Sequence, residues 1–161
     1  MDARFSGFNT RLIHGGWHGD ATGTVNVPIY QTSTFAFRDA AHGAALFQGA
    51  EDGYIYTRIG NPTIRALEEN IASLENGHAG IATSSGLGAI ATIYMALLGQ
   101  GAHLVSTASV YGPTRGLMEG HFARFGVESS YVDTSSLEAV RAALRKTPRL
   151  LYVEPPSNPA M

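Results

Sequence analysis

From Asn61 onward the chain alternates short apolar runs with apolar stripes at helical spacing, and this alternation limits the folds open to it more than any other feature. Asn61 suits a helix N-cap and Pro62 the first helical position. Ile64, Leu67, Ile71 and Leu74 follow as one stripe, and Gly77 is expected to end that helix. Residues 79–83 read as a short buried strand, 87–98 as a mostly apolar helix and 102–106 as the next strand. A helix over 114–125, carrying Leu117, Phe122 and Phe125, is closed by Gly126. Residues 127–132 read as a strand. Ser135 with Glu138 suggests a capping box for a helix that carries Leu137, Val140 and Leu144, and 149–154 reads as a fourth strand.

Strands joined through helices imply crossover connections and a mostly parallel sheet between helix layers, an α/β fold. In such sheets ligands bind beyond the carboxyl ends of the strands. Three marked stretches fall at that edge: 84–88, 107–114 and 154–159. Residues 1–60 show neither helical nor strand period, and are expected to form an irregular arm that packs on another surface.

Composition narrows the function. The 161 residues carry a formal net charge of −2, which argues against nucleic acid as the main partner. Charged residues make up only 15% of the chain, a low share that points to surface covered by other subunits, hence a homo-oligomer. With no Cys there is no disulfide or thiolate metal site, and a cytoplasmic setting fits. The residues around Asp2, Arg4 and Arg11 lack the apolar segment of a signal peptide, and the longest apolar run, 89–98, is too short to cross a membrane.

Ser84-Ser85-Gly86-Leu87-Gly88 ends one predicted element and opens a helix, so its backbone N–H groups suit a phosphate. Tyr56-Thr57-Arg58 places an aromatic hydroxyl and a guanidinium two residues apart, and an Arg fork also matches phosphate oxygens. Gly86-Leu87-Gly88-Ala89-Ile90-Ala91 resembles a dinucleotide fingerprint, but no Asp or Glu lies between Glu75 and Glu119 to hold a ribose. A single phosphate needs no such partner. His14 and His18 flank Gly15-Gly16-Trp17 and read as loop histidines, so no metal site is expected. Taken singly, Arg58 reads as a solvated charge, Ser84-Ser85-Gly86 as a helix cap, and Tyr111 and Asn158 as a core-edge aromatic and a turn residue.

Taken in order, the motifs Tyr56-Thr57-Arg58-Ile59-Gly60-Asn61-Pro62-Thr63, Ser84 to Ile90, Tyr111-Gly112-Pro113-Thr114 and Glu154-Pro155-Pro156-Ser157-Asn158-Pro159 resemble the Cys/Met-metabolism (trans-sulfuration) family of pyridoxal 5'-phosphate (PLP) enzymes. Val27-Pro28-Ile29-Tyr30-Gln31-Thr32-Ser33-Thr34-Phe35 fits the same family. The resemblance implies a fold-type I large domain. Residues 1–60 would be an arm serving a neighbouring subunit's site, and 61–161 the first half of the PLP-binding domain.

The family also implies roles. Gly86 and Leu87 would give backbone N–H groups to the PLP phosphate, with Ser85 beside them. Tyr56 and Arg58 would reach the phosphate of the neighbouring subunit. Tyr111 would stack on the pyridine ring and assist proton transfer, and Asn158 would touch the ring oxygen or the substrate carboxylate side. The implied assembly is a dimer of dimers, and the implied substrate a small sulphur amino acid. Gly43-Ala44-Ala45-Leu46-Phe47 before the Tyr-x-Arg motif favours members that perform α,γ-elimination on L-methionine, giving methanethiol, 2-oxobutyrate and ammonia. Sulfhydrylation of O-acetylhomoserine, cystathionine synthesis and cystathionine cleavage are the alternatives within the family. A non-catalytic piece that only packs or binds phosphate is the alternative outside it.

Two positions depart from the family pattern: Pro113, where many members carry Cys, and Pro155, where Ser or Thr is usual. PLP catalysis also needs a lysine to hold the cofactor, and the one lysine, Lys146, falls near the end of a predicted surface helix. The chain therefore reads as part of a longer enzyme, inactive by itself.

Overall fold

In the computed structural model, which describes residues 7–144 and 148–157, strand β1 (His103–Thr107) lies between β2 (Glu128–Val132) and β3 (Pro148–Tyr152). Both pairings are parallel, with Thr107 opposite Val132 and Ser106 opposite Tyr152. All five residues of β1 are buried, as its central place requires, although His103, Ser106 and Thr107 are polar. The expected parallel α/β fold is the one the chain adopts.

Helix α4 (Gly86–Leu97) precedes β1. Between β1 and β2 the chain forms α5 (Gly112–Gly116), a π turn over Leu117–His121 and a 3-10 turn over Phe122–Phe125. Helix α6 (Leu137–Ala143) joins β2 to β3. The core gathers Tyr94 and Leu98 from the end of α4, Leu104 from β1, Met118 and Phe122 from the turns, and Val127. The Tyr94 ring meets Phe122 and Tyr152 edge-on, at centroid distances of 5.5 and 5.7 Å.

Two compact units make up the chain, one ending at Ala82 and one beginning at Thr83. The first holds α1 (Phe8–His14), α2 (Ala40–Phe47) and α3 (Pro62–Leu74). The segment expected to be wholly irregular thus contains two short helices. The sequence did carry a start signal for α2, since Asp39 caps it by accepting from the His42 N–H at 2.8 Å.

Helix α3 starts as expected: Asn61 Oδ1 accepts from the Thr63 N–H at 2.9 Å. Its end differs. Asn76 (φ 53°), not Gly77, takes the left-handed position, and the Gly77 N–H closes the turn on the Ala72 carbonyl. Nor is its stripe the buried face, since Ile64, Leu67 and Ile71 are 40, 55 and 50% exposed. What α3 buries is Ala66 and Ala72. Gly16 lies so close to this helix that a Cβ on it would sit 2.0 Å from the Ala66 carbonyl oxygen, so position 16 needs glycine.

Three further expectations are corrected. Residues 79–83 form no strand: the Ala82 N–H goes to Glu68 Oε1 at 2.7 Å and Ile81 is exposed, so no ladder forms. Ser136, not Ser135, caps α6, because Ser135 is already bonded through its N–H and hydroxyl to Asp133. The single helix expected over 114–125 is instead three short turns of different pitch, ended by Gly126 (φ 76°) as expected.

Candidate active site

In the second unit, the start of α4 is built by Ser85. Its Oγ accepts from the Gly88 N–H at 3.0 Å, which satisfies the third amide of the helix. The first two amides, those of Gly86 and Leu87, find no acceptor among the described residues. A Cβ placed on Gly86 would meet nothing within 4 Å, so the helix start is open on that side. Two free N–H groups at the positive end of a helix are donors of the kind that anions accept from.

Tyr111 stands at the N-terminal edge of α5, in the loop that follows the carboxyl end of β1, and is 44% exposed. Its backbone N–H donates to Glu154 Oε2 at 2.7 Å. The other carboxylate oxygen, Oε1, accepts from the Tyr152 hydroxyl at 2.8 Å. Loops after β1 and β3 are thus joined at one edge of the sheet, as the topology predicts for a ligand-binding rim. Burial, and then the Glu154 contact, push the Tyr152 hydroxyl above its ordinary value, so it stays protonated as the donor. Glu154 lay within a stretch singled out from sequence, but nothing there distinguished its carboxylate from any other. Asn158 and Lys146 lie outside the described residues.

Tyr56 and Arg58 belong to the first unit. Tyr56 forms an isolated antiparallel bridge with Thr34, and flanking bonds run from the Phe35 N–H to the Ile55 carbonyl and from the Thr57 N–H to the Ser33 carbonyl. This pairing ties the Thr32-Ser33-Thr34-Phe35 stretch to the Tyr-x-Arg motif. The Arg58 guanidinium lies 5.1 Å from the centroid of the Tyr56 ring. Arg58 also lines an open cleft of about 880 Å³ within this unit, together with Tyr54, Arg65 and Glu68.

His18 Nε2 sits 3.0 Å from Glu69 Oε2, and Glu69 also accepts from Arg65 Nε at 2.7 Å. The Arg65 bond holds the Glu69 carboxyl below its ordinary value. Among the described residues no helix is long and apolar enough to cross a membrane.

The model of the Cys/Met metabolism PLP-dependent enzyme family matches residues 9–161. The chain belongs to that family. Among curated relatives of this PLP-dependent family, the L-methionine gamma-lyase of Fusobacterium nucleatum subsp. nucleatum is 49% identical over 159 residues, 99% of this chain and 40% of its own length. The cystathionine gamma-lyase of Bacillus subtilis is 45% identical over 153 residues, 94% of this chain and 38% of its own. Among solved structures, metB from Corynebacterium glutamicum superposes with a TM-score of 0.89 at 40% identity, covering 99% of this chain and 40% of that one. The chain spans about two fifths of the length of the curated relatives it matches.

The residues present suit the phosphate of the family's cofactor. The open pair of amides at Gly86 and Leu87 is the right donor set for a phosphate, and the Ser85 hydroxyl proton is still free to donate.

Proposed function

We propose that the full-length protein is a PLP-dependent carbon–sulphur lyase that performs α,γ-elimination on L-methionine. The observation that carries this is the pair of open amides at Gly86 and Leu87, at a helix start where Ser85 caps only the Gly88 amide, in a chain of this family. Several methionine gamma-lyases among its relatives support the choice of substrate. PLP, when bound, supplies the electron sink that makes such elimination feasible.

This chain's own residues would do the following. Gly86 and Leu87 hold the phosphate through their N–H groups, with Ser85 at the same helix start. Tyr111 offers a flat ring to stack on the pyridine and a hydroxyl to move a proton near the leaving group. Tyr56 and Arg58 bring a guanidinium and a phenol to the phosphate of a neighbouring subunit, in a homotetramer with shared sites. Asn158 serves the ring oxygen or the substrate carboxylate. Residues 1–60 act as the arm that reaches the neighbour, and residues from 61 onward as the beginning of the PLP domain. A cytoplasmic, soluble setting accords with the lack of Cys.

A second reading, cystathionine cleavage or sulfhydrylation of an acylated homoserine, is favoured by relatives of both kinds at 45 and 38% identity. Pro113 bears on this choice, since it lies in the first turn of α5, two residues after Tyr111. The deciding experiment loads the full-length protein with PLP and offers methionine, cystathionine and O-acetylhomoserine with sulphide, under equal conditions. Methanethiol and 2-oxobutyrate from methionine at the highest kcat/KM support the proposal. A higher kcat/KM on either of the others moves the protein to the second reading.

A further inference from the structure

Glu154 is bound at both oxygens by groups from different elements. Oε2 takes the main-chain N–H of Tyr111 at 2.7 Å, and Oε1 takes the Tyr152 hydroxyl at 2.8 Å. The Tyr152 ring is in turn packed edge-on against the fully buried Tyr94, whose ring meets Phe122. Glu154 therefore links a rigid part of the core to the one backbone amide of the exposed Tyr111. The amide matters because it lies at a helix start, where no carbonyl four residues earlier can accept it.

We propose that Glu154 is a positioning residue for Tyr111. Its carboxylate fixes the main chain that carries the Tyr111 ring, and Tyr152 orients the carboxylate. A charged acceptor makes a stronger bond to an N–H than a neutral one, and two partners on one carboxylate leave it little rotational freedom. The Tyr111 side chain makes no cap bond of its own at α5. Without Glu154 the Tyr111 main chain would keep only the bond from the Arg115 N–H to its carbonyl, at 3.1 Å, which fixes the peptide after Tyr111 and not the one before it. The proposal rests on the reading of Tyr111 as the stacking and proton-moving residue. Its consequence is that the aim of the Tyr111 hydroxyl depends on a residue that need not touch cofactor or substrate.

The test uses the full-length holoenzyme with Glu154→Leu, Glu154→Gln and Tyr152→Phe. Gln keeps a carbonyl for the Tyr111 N–H and an amide facing the Tyr152 oxygen, whereas Leu keeps neither. Hydrogen–deuterium exchange of the peptide carrying the Tyr111 amide should speed up in Glu154→Leu and stay close to wild type in Glu154→Gln. The kcat should fall about 10- to 100-fold in Glu154→Leu with KM little changed, the scale expected when a reacting group is misplaced by about an ångström. In a Tyr111→Phe background the same Leu substitution should cost far less, because the hydroxyl it aims is already gone. Tyr152→Phe, which keeps the ring in the core, should show both effects in weaker form and serves if Glu154→Leu does not fold. Unchanged exchange in the Leu and Phe variants, or an equal loss of kcat with and without the Tyr111 hydroxyl, overturns the proposal. Should the protein turn over no sulphur amino acid at all, the functional reading fails while the exchange data still decide the Glu154 contact.

Discussion

Asn61 and Tyr30 are joined by a hydrogen bond of 2.9 Å from the Asn61 side-chain amide to the Tyr30 carbonyl, although 31 residues separate them in sequence. Beside it, Thr63 donates its hydroxyl to the Pro28 carbonyl and accepts from the Tyr30 N–H. Two motifs that read as separate signatures, Val-Pro-Ile-Tyr and Asn-Pro-Thr, are therefore two sides of one contact. Asn61 is 3% exposed and uses its oxygen as the α3 cap and its nitrogen as the link to Tyr30.

This double use makes a discriminating prediction. Asn61→Ala loses cap and link together and should cost about 2 kcal/mol of stability, the sum of a cap and one part-buried hydrogen bond, the Tyr30 carbonyl keeping the Thr32 N–H. Asn61→Asp keeps the cap oxygen but turns a second oxygen toward the Tyr30 carbonyl. It should be nearly as damaging, which chemical denaturation of the full-length protein can check. An Asp variant as stable as wild type would show that the Tyr30 link contributes nothing.

Gly16 and Gly19 both have positive φ, 73 and 81°, but only Gly16 is pressed against another backbone. Gly19→Ala meets nothing within 4 Å and should cost about 1–2 kcal/mol from backbone conformation alone. Gly16→Ala must in addition push the chain away from α3 at Ala66, and should lower the melting temperature clearly more. Equal shifts in the two variants would count against the close packing as the reason for glycine at 16.

The proposed phosphate site can be tested without disturbing its helix. Gly86→Pro removes one N–H at the first helical position, where proline is well tolerated, and Ser85 is already extended as the residue before a proline must be. The melting temperature of the full-length apoprotein should hardly move. The PLP dissociation constant should rise about 10- to 100-fold, the equivalent of one hydrogen bond to a charged group at 1.5–3 kcal/mol. Unaltered PLP affinity would remove the Gly86 N–H from the site.

If Arg58 serves a neighbouring subunit, two defects on different chains should complement each other. Arg58→Ala and Gly86→Pro homo-oligomers are each expected to bind PLP weakly. Unfolded together and reassembled, mixed oligomers should regain a fraction of wild-type sites, each built from one undamaged Arg58 and one undamaged Gly86. Arg58→Lys should not replace Arg58, since a point charge cannot reproduce the planar fork. Absence of recovery in mixed oligomers of verified composition would place both residues of a site on one chain.

Much of the fold was legible because its punctuation is chemical. Asn61 followed by Pro62, Ser85 before a small-residue run, and Gly126 after two phenylalanines each act on the nearest backbone, so they could be read locally. The misreadings share the opposite property. Residues 79–83 are a short run of small and apolar residues between helices, which reads as a buried strand, but a strand exists only by pairing, and Glu68 took the Ala82 amide instead. By sequence Ser135, with Glu138 three residues on, is the better cap, but Asp133 engages it and leaves the role to Ser136. Among the expected site residues, the Gly86–Leu87 amides and the loop bearing Tyr111 could be placed from topology. The role of Glu154 could not, because its two partners come from separate segments.

The division of labour at the start of α4 has a practical consequence. Ser85 settles the third amide from within the chain, so the helix does not wait for a guest in order to form. If a phosphate is held there as proposed, its loss should leave a ready-made receptor rather than a frayed end. Emptying and refilling would then be a cheap, repeatable exchange with solvent, without an unfolding step.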